Sequence, residues 1–518
     1  MISKQKKEGQ YMTPTKIVDI ILDDIGFVGD NVLEKTIIEP SFGNGVFLLN
    51  IVKRIILEGK KRNKSNDEIS FIINHNVYGI EKDKNLYNET IKNLNILLSK
   101  YNLININWKN LINGDTLIEY KKHIGTKDFV VGNPPFVRIH NLDEEYKTII
   151  KNFKFTKGAI DLYIIFYEIG LLMLNNSGKL GYISPNTFMK NNSQKDFRNY
   201  LINEKLLLAI YDFKTSKIFN NANTYTCICL LDKGKKEDNY NILYQEYFMY
   251  EKLIQTHFEY TYFLNNLINK TWNLSSKENV NFLEQNKKLK IKIDNIAIIQ
   301  NGIVTNRDSV YILKVFEDEK LTIPYLGKHS DINKIVYFNK ENIIYKIESS
   351  ILHRCVKEST FCGNIDNTYI IYPYIQEPNK KYEPMTENFL KTKYPNAYIY
   401  LLDKKNELLT RNMDKKSLWF LFGRSQGLLN INNKKIVFKH IINKDNPQII
   451  PYILDEDIIV YSGFYVTIPT ETSNISLDIL SKIFSSYDFS RYCCIVGKDM
   501  SSGYIWISSK IIKNFGIQ

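Results

Sequence analysis

The feature that most constrains this chain is a short apolar run, Thr36 to Glu39, that passes through Pro40-Ser41-Phe42-Gly43-Asn44-Gly45 into an amphipathic stretch beginning at Val46. Two glycines one residue apart, between a strand and a helix, let the backbone turn tightly and approach a nucleotide-like ligand closely. A tight strand-to-helix turn without any ligand satisfies the same residues, so the segment is read together with its neighbours. Val77 to Glu81, Phe129 to Gly132, Leu180 to Ser184 and Leu206 to Phe213 are further apolar runs of strand length. Between them, Val46 to Leu57, with Phe47, Ile51 and Ile55 on one side, and Ile160 to Leu174 carry helical spacing. Strands alternating with helices imply a parallel sheet and a doubly wound α/β domain.

At 518 residues the chain exceeds one ordinary core, and two or more domains are expected. After the apolar strand Thr226 to Leu231, the charged, turn-prone run Lys233-Gly234-Lys235-Lys236-Glu237-Asp238 marks a break. We expect a first domain over residues 1–240 and a helical connector over residues 241–290, where Tyr244 to Leu267 is aromatic and reads as partly helical. A mixed α+β domain of short strand-like runs, rich in Asn and Lys, is expected over residues 291–518.

Lys and Arg outnumber Asp and Glu by 69 to 56, a net charge of +13 that favours a polyanionic partner. A lysine-rich solvated surface produces the same figure, so the motifs must decide. Cys227, Cys229, Cys355, Cys362, Cys493 and Cys494 form no Cys-x-x-Cys unit and have no His at zinc-ligand spacing, so reduced thiols and no metal are expected. Met1 to Gln10 is polar and basic, and no apolar run has the length of a membrane span, so we expect a soluble cytoplasmic protein without a membrane partner.

Acids recur at the strand ends. Glu81 closes an apolar strand and can accept both hydroxyls of a ribose, and Asp115, in Asn113-Gly114-Asp115, can accept a hydrogen bond from a nucleoside amino group. The sharpest signal is Asp128-Phe129-Val130-Val131-Gly132-Asn133-Pro134-Pro135-Phe136, an apolar strand leading into a rigid double-proline turn. Pro134 and Pro135 fix φ and lack N–H groups, so the turn presents carbonyl oxygens beside the Asn133 amide oxygen. A planar exocyclic amine delocalises its lone pair into its ring and is a poor nucleophile. Two acceptors, Asn133 Oδ1 and the Pro134 carbonyl, would each take one N–H bond and draw the nitrogen towards tetrahedral geometry, with no strong general base required. An aromatic ring at Phe136 would stack on an extruded base.

In this order the motifs resemble the amino-group DNA methyltransferases of the gamma class, in which the cofactor region precedes the catalytic region and a C-terminal target-recognition domain follows. Gly9-Gln10-Tyr11-Met12-Thr13-Pro14 is similar to that family's N-terminal Tyr-x-Thr-Pro segment, Glu39 to Phe47 to its glycine loop, and Asn133 to Phe136 to its catalytic turn. Leu180 to Pro185 and Ile218 to Leu231 resemble two later segments, so the likeness spans about residues 9 to 232. It implies a Rossmann-like fold and S-adenosylmethionine as cofactor, held by Thr13, Glu39, Ser41, Gly43, Gly45, Glu81, Asp115 and Pro135. It further implies a flipped adenine of double-stranded DNA gripped by Asn133, Pro134 and Phe136, with Phe219 as a second stacking ring. Phe136 departs from the commoner tyrosine of the family and keeps the stacking face. The Asn at the start of the turn resembles the adenine-N6 enzymes, whereas cytosine-N4 enzymes more often begin it with Ser.

In the second half, Gln300 to Asp308 and Trp419 to Gly427 look like segments of the recognition domains, with Arg307 and Arg424 as candidate DNA contacts; ordinary solvated loops have the same composition. The resemblance also implies a restriction-modification system, with a separate cognate endonuclease as possible partner. RNA and protein-glutamine methylation pose the same lone-pair problem and stay open as alternatives. A decayed, non-enzymatic DNA-binding protein is disfavoured by the intact motifs.

Overall fold

The computed structural model describes residues 13–103, 106–139, 142–158, 161–214, 216, 218–219, 225–234, 241–250, 253–263, 271–315, 335–375, 382–414, 417–444, 446–469, 475–500 and 503–517. They fall into two compact units, Met1–Val280 and Asn281–Gln518.

The first unit is built on β1 (Ile37–Glu39), β2 (Val77–Glu81), β3 (Leu111–Asn113), β4 (Lys127–Gly132), β5 (Leu174–Pro185), β6 (Leu207–Asp212), β7 (Thr226–Asp232), β8 (Asn241–Tyr250) and β9 (Leu253–Phe263). They form one sheet in the order β3-β2-β1-β4-β5-β7-β6-β8-β9. Both faces of the central strands are buried, and the alternation of side chains along a strand decides which core each residue joins. In β4, Phe129 and Val131 enter the core covered by α1 (Thr15–Asp24), α2 (Val46–Lys61), α3 (Asn66–Asn76) and α4 (Lys84–Ser99). Val130 enters the opposite core, packed by α6 (Leu162–Met173) and α7 (Lys195–Asn203); between β4 and α6 lies the short helix α5 (Glu144–Ile150). The stripe anticipated on α2 is buried, Phe47, Ile51 and Ile55 among it. The start of α3 is secured by a capping box in which Ser65 and Glu68 exchange side-chain-to-backbone bonds, and α4 starts at Asp83, whose carboxylate accepts from Asn85 N and Leu86 N.

The doubly wound α/β fold is as expected, with two differences. The sheet is mixed rather than parallel: β7 runs antiparallel to both β5 and β6, and β9 antiparallel to β8. Six of the seven residues of β7 are buried, so its apolar run reports burial on two faces and carries no information on direction. Residues 241–263, expected to begin a helical connector, are the edge strands β8 and β9 instead. Ile242, Tyr244 and Glu246 are buried while their neighbours are not, a period of two that the density of aromatics obscured. Among the described residues of 241–290 the helix is Lys277–Lys288.

The second unit is mixed α+β. One four-stranded sheet orders Ile298–Asn301, Phe464–Thr467, Lys435–Val437 and Tyr452–Leu454; another orders Ile312–Lys314, Thr368–Ile371, Leu352–Lys357 and Ile459–Tyr461. Helices Glu387–Lys393, Pro395–Asp403, Leu477–Phe484 and Tyr487–Val496 accompany them. Among the described residues no helix is long and apolar enough to cross a membrane.

Candidate active site

The strand order reverses between β1 and β4, and the carboxyl ends of these two strands flank the crevice in which open α/β sheets hold ligands. The glycine loop leaves β1 there. Phe42 N donates to Ile80 O (3.2 Å) and Gly45 N to Phe42 O (2.7 Å), so the loop is tied to β2 before it enters α2. Gly43 and Gly45 have φ of 52° and 76°, the left-handed region that favours glycine. They differ in surroundings. A Cβ on Gly45 would lie 2.3 Å from Thr90 Cγ2, whereas one on Gly43 would meet nothing within 4 Å among the described residues. Thr90 Oγ1 donates to Gly43 O (2.9 Å). Gly45 therefore makes room for α4, and Gly43 keeps backbone open towards the crevice.

Glu81, at the end of β2, accepts from Gly43 N and Asp83 N, each at 2.8 Å, and so fastens the loop to the neighbouring strand. Burial raises its carboxyl above the ordinary range, although those two backbone donors counteract it. Glu39 is more extreme. It is only 2% exposed and its Oε2 has no hydrogen-bond partner among the described residues. Burial first, and the neighbouring Glu81 second, hold its carboxyl well above the usual range.

Asp115 stands differently from the expectation of an acid at a strand end. β3 stops at Asn113, and Asp115 caps the short helix Thr116–Glu119, its Oδ1 accepting from Leu117 N at 3.0 Å. Its Oδ2 accepts from the Tyr146 hydroxyl of α5 and lies 3.2 Å from Lys82 Nζ, which sits 4.0 Å from the centre of the Tyr146 ring. Tyr146 and Lys82 were not anticipated. Their positions in the chain carry no motif, and only the path of the chain after β4 brings α5 to the edge of β2 and β3.

The turn at the end of β4 joins segments distant in sequence. Asn133 Nδ2 donates to Thr13 Oγ1 (3.3 Å), turning Oδ1 the other way, and Ser41 Oγ donates to Asn133 O (3.3 Å). Thr13 and Pro134 are buried, Pro135 and Phe136 half-buried. Thr13, the glycine loop and the double-proline turn thus share one site; Gly9 to Met12 lie outside the described residues. Phe136 and Phe219 are neighbours, with ring centres 6.0 Å apart and planes at 71°. In this edge-on arrangement the two rings lie close to contact, so holding a third aromatic ring between them, which needs about twice the 3.4 Å spacing of stacked bases, requires the pair to turn and part. Asn220 and Asn221, of the segment following Phe219, lie outside the described residues.

In the second unit the two segments singled out in sequence come together. Val304 pairs with Arg424 in an antiparallel bridge, and Gly423 N donates to Thr305 O (3.2 Å). Buried Arg411, which the sequence reading missed, staples them by donating to Thr305 O (2.8 Å), Trp419 O (2.7 Å) and Leu421 O (3.1 Å). Arg424 and Arg307 each have an acidic neighbour: Arg424 Nη1 is 3.1 Å from Asp414 Oδ1, and Arg307 Nε 3.6 Å from Glu407 Oε1. Both arginines are half exposed or nearly so.

Sheet order, glycine loop and acid-lined crevice define a Rossmann-like α/β enzyme fold of the kind found in restriction-modification methyltransferases. Residues 52–219 match the model of the Eco57I restriction-modification methylase family. Among similar proteins, the Type II restriction enzyme and methyltransferase RM.Eco57I of Escherichia coli is 27% identical over 337 residues, covering 60% of this chain and 32% of that protein. The Type II methyltransferase M.BstVI of Geobacillus stearothermophilus is 32% identical over 246 residues, covering 46% of this chain and 43% of that protein. The chain thus spans less than half the length of either relative. The solved structure of the Type IIL restriction-modification enzyme MmeI in complex with DNA superimposes with a TM-score of 0.59 at 13% identity, covering 99% of this chain and 69% of that one, a likeness of fold.

Proposed function

We propose that the chain is an S-adenosylmethionine-dependent DNA methyltransferase that modifies the N6 amino group of an adenine flipped out of double-stranded DNA. The observation that carries this reading is the convergence at one crevice of the Asn133-Pro134-Pro135-Phe136 turn, Thr13 and the glycine loop with its buried acids. The residues suit the cofactor: Glu39 is a buried carboxylate whose Oε2 lacks a partner among the described residues, which a cationic ligand would supply, and the Gly43 backbone is open. Glu39, Ser41, Gly43, Gly45, Glu81 and Pro135 would hold it with Thr13, and Asp115 would do so alongside Tyr146 and Lys82. When bound, S-adenosylmethionine supplies a methyl group already activated on a positive sulfonium.

The chain's own part is positioning. Asn133 Oδ1 and the Pro134 carbonyl accept the two N–H bonds of the adenine amine, which restores the nitrogen's lone pair and aims it into the crevice. Phe136 and Phe219 stack on the extruded base. Arg307 and Arg424, on one loop cluster of the second unit, reach towards DNA from their acidic neighbours. The resemblance and the names of the relatives favour a role in a restriction-modification system, in which a cognate endonuclease cuts the sites this enzyme protects.

The test is transfer of labelled methyl from S-adenosylmethionine to unmethylated double-stranded DNA, with product nucleosides resolved. We expect label in N6-methyldeoxyadenosine and a loss of at least about a hundredfold in Asn133→Ala, with cofactor affinity retained. Label in N4-methylcytosine would correct the base, and label only in RNA or protein glutamine would overturn the DNA reading.

A further inference from the structure

A second polar cluster lies on the same rim of the sheet, and neither the family likeness nor the reading above uses it. Asp212 ends β6 and pairs in register with Glu246 on the parallel strand β8, so two carboxylates stand side by side, 3% and 7% exposed. Like charges this deeply buried repel unless a cation joins them. Lys214 is that cation: its Nζ lies 2.6 Å from Glu246 Oε1 and 3.3 Å from Asp212 Oδ2. The Tyr244 hydroxyl donates to the same two acids, at 3.0 Å to Glu246 and 3.3 Å to Asp212. Asp212 Oδ1 accepts from Lys214 N (3.0 Å) and from Asn186 Nδ2 (2.9 Å), just beyond the end of β5.

This arrangement dictates how the chain leaves β6. Lys214 reaches back over the strand it has just left only because its backbone sits at φ 46°, the left-handed region that a residue with a Cβ enters at a cost. The ends of β5 and β6 are thereby locked to the middle of β8 and to Lys214, the start of the β6–β7 connection. Ile218 and Phe219, a few residues further on, are buried in the same core as Phe213 and against Phe136.

We propose that Lys214, with Asp212 and Glu246, is a positioning device for the target base: the buried ion cluster sets the start of the β6–β7 connection and so holds Phe219 beside Phe136, where the two rings can part around a base. The proposal rests on the reading of that ring pair as the adenine slot. Lys214 touches neither cofactor nor base and acts through Phe219.

Two readouts separate the proposal from that reading. The first is hydrogen exchange of the cofactor-free protein, wild type against Lys214→Met. We expect exchange over residues 211–219 to rise about tenfold while residues 127–136, at the catalytic turn, stay protected. The second is methyl transfer to unmethylated plasmid DNA. In Lys214→Met, kcat should fall about a hundredfold at unchanged dissociation constant for S-adenosylmethionine, and Lys214→Arg, which keeps the cation, should restore most of it. If Lys214→Met does not fold, the charge-free variant Asp212→Asn/Lys214→Met/Glu246→Gln takes its place with the same expectations. Unchanged exchange over 211–219, or a loss of cofactor affinity parallel to the loss of kcat, would overturn the proposal. A wild type that modifies no DNA would overturn the adenine-slot reading instead, while the exchange data still decide whether the cluster anchors Phe219.

Discussion

Glu39 shows how much one residue's surroundings matter. As a letter it is an acid after a strand; in the fold it is a buried carboxyl beside a second acid, with one oxygen unpartnered among the described residues. An acid whose folded value is raised holds its proton more tightly folded than unfolded, so folding weakens as pH climbs from the ordinary carboxylate value of about 4.3 towards the folded one. Glu39→Gln removes that dependence. Cofactor-free Glu39→Gln should therefore melt higher than wild type at pH 8 and at the same temperature at pH 4, while its affinity for S-adenosylmethionine falls about tenfold. A difference in melting temperature that ignores pH would contradict this account. Glu39, Glu81 and Asn133 were legible as candidates because each closes an apolar strand. Tyr146, Lys82 and Lys214 were not, since what they touch is far away in sequence.

Among the elements, the glycine loop separates architecture from ligand. Gly45→Ala places a methyl group against Thr90 in a left-handed conformation, and we expect a loss of about 2–4 kcal/mol of stability, read as a lowered midpoint of urea unfolding. Gly43→Ala meets open space and bears only the conformational cost of about 1–2 kcal/mol; its larger effect should be on cofactor affinity, measured by calorimetry. Equal effects of the two substitutions on stability, with cofactor binding untouched in both, would contradict this division. The same loop was readable from sequence because a strand, two glycines and a helix are local. The edge hairpin of β8 and β9 was not, because period-two burial hides where both faces carry aromatics, and pairing across the sheet is a non-local decision.

Across the whole molecule, each of the two compact units carries a histidine that burial pushes down to about 4, His123 in the first and His353 in the second. The sign is opposite to that of a histidine with an acidic partner. Here the unfolded chain binds the proton more readily, with a value of about 6.5, so stability is full above that pH and is lost as pH falls towards 4. The urea midpoint of the wild type relative to that of His353→Phe should drop between pH 7 and pH 5, a comparison in which the opposite contribution of Glu39 cancels; a difference that stays flat over that range would refute the assignment. By itself the sequence determined the α/β class, the glycine loop, the acids at the ends of β1 and β2 and the double-proline turn after β4, because each is written in a few consecutive residues whose spacing matches the period of a strand or helix. Only the tertiary structure decided the reversed direction of β7, the engagement of Asp115 by Tyr146 and Lys82, the meeting of the Arg307 and Arg424 segments and the buried cluster around Lys214. Those features depend on which strands become neighbours, and burial makes a strand apolar whichever way it runs and whatever lies beside it.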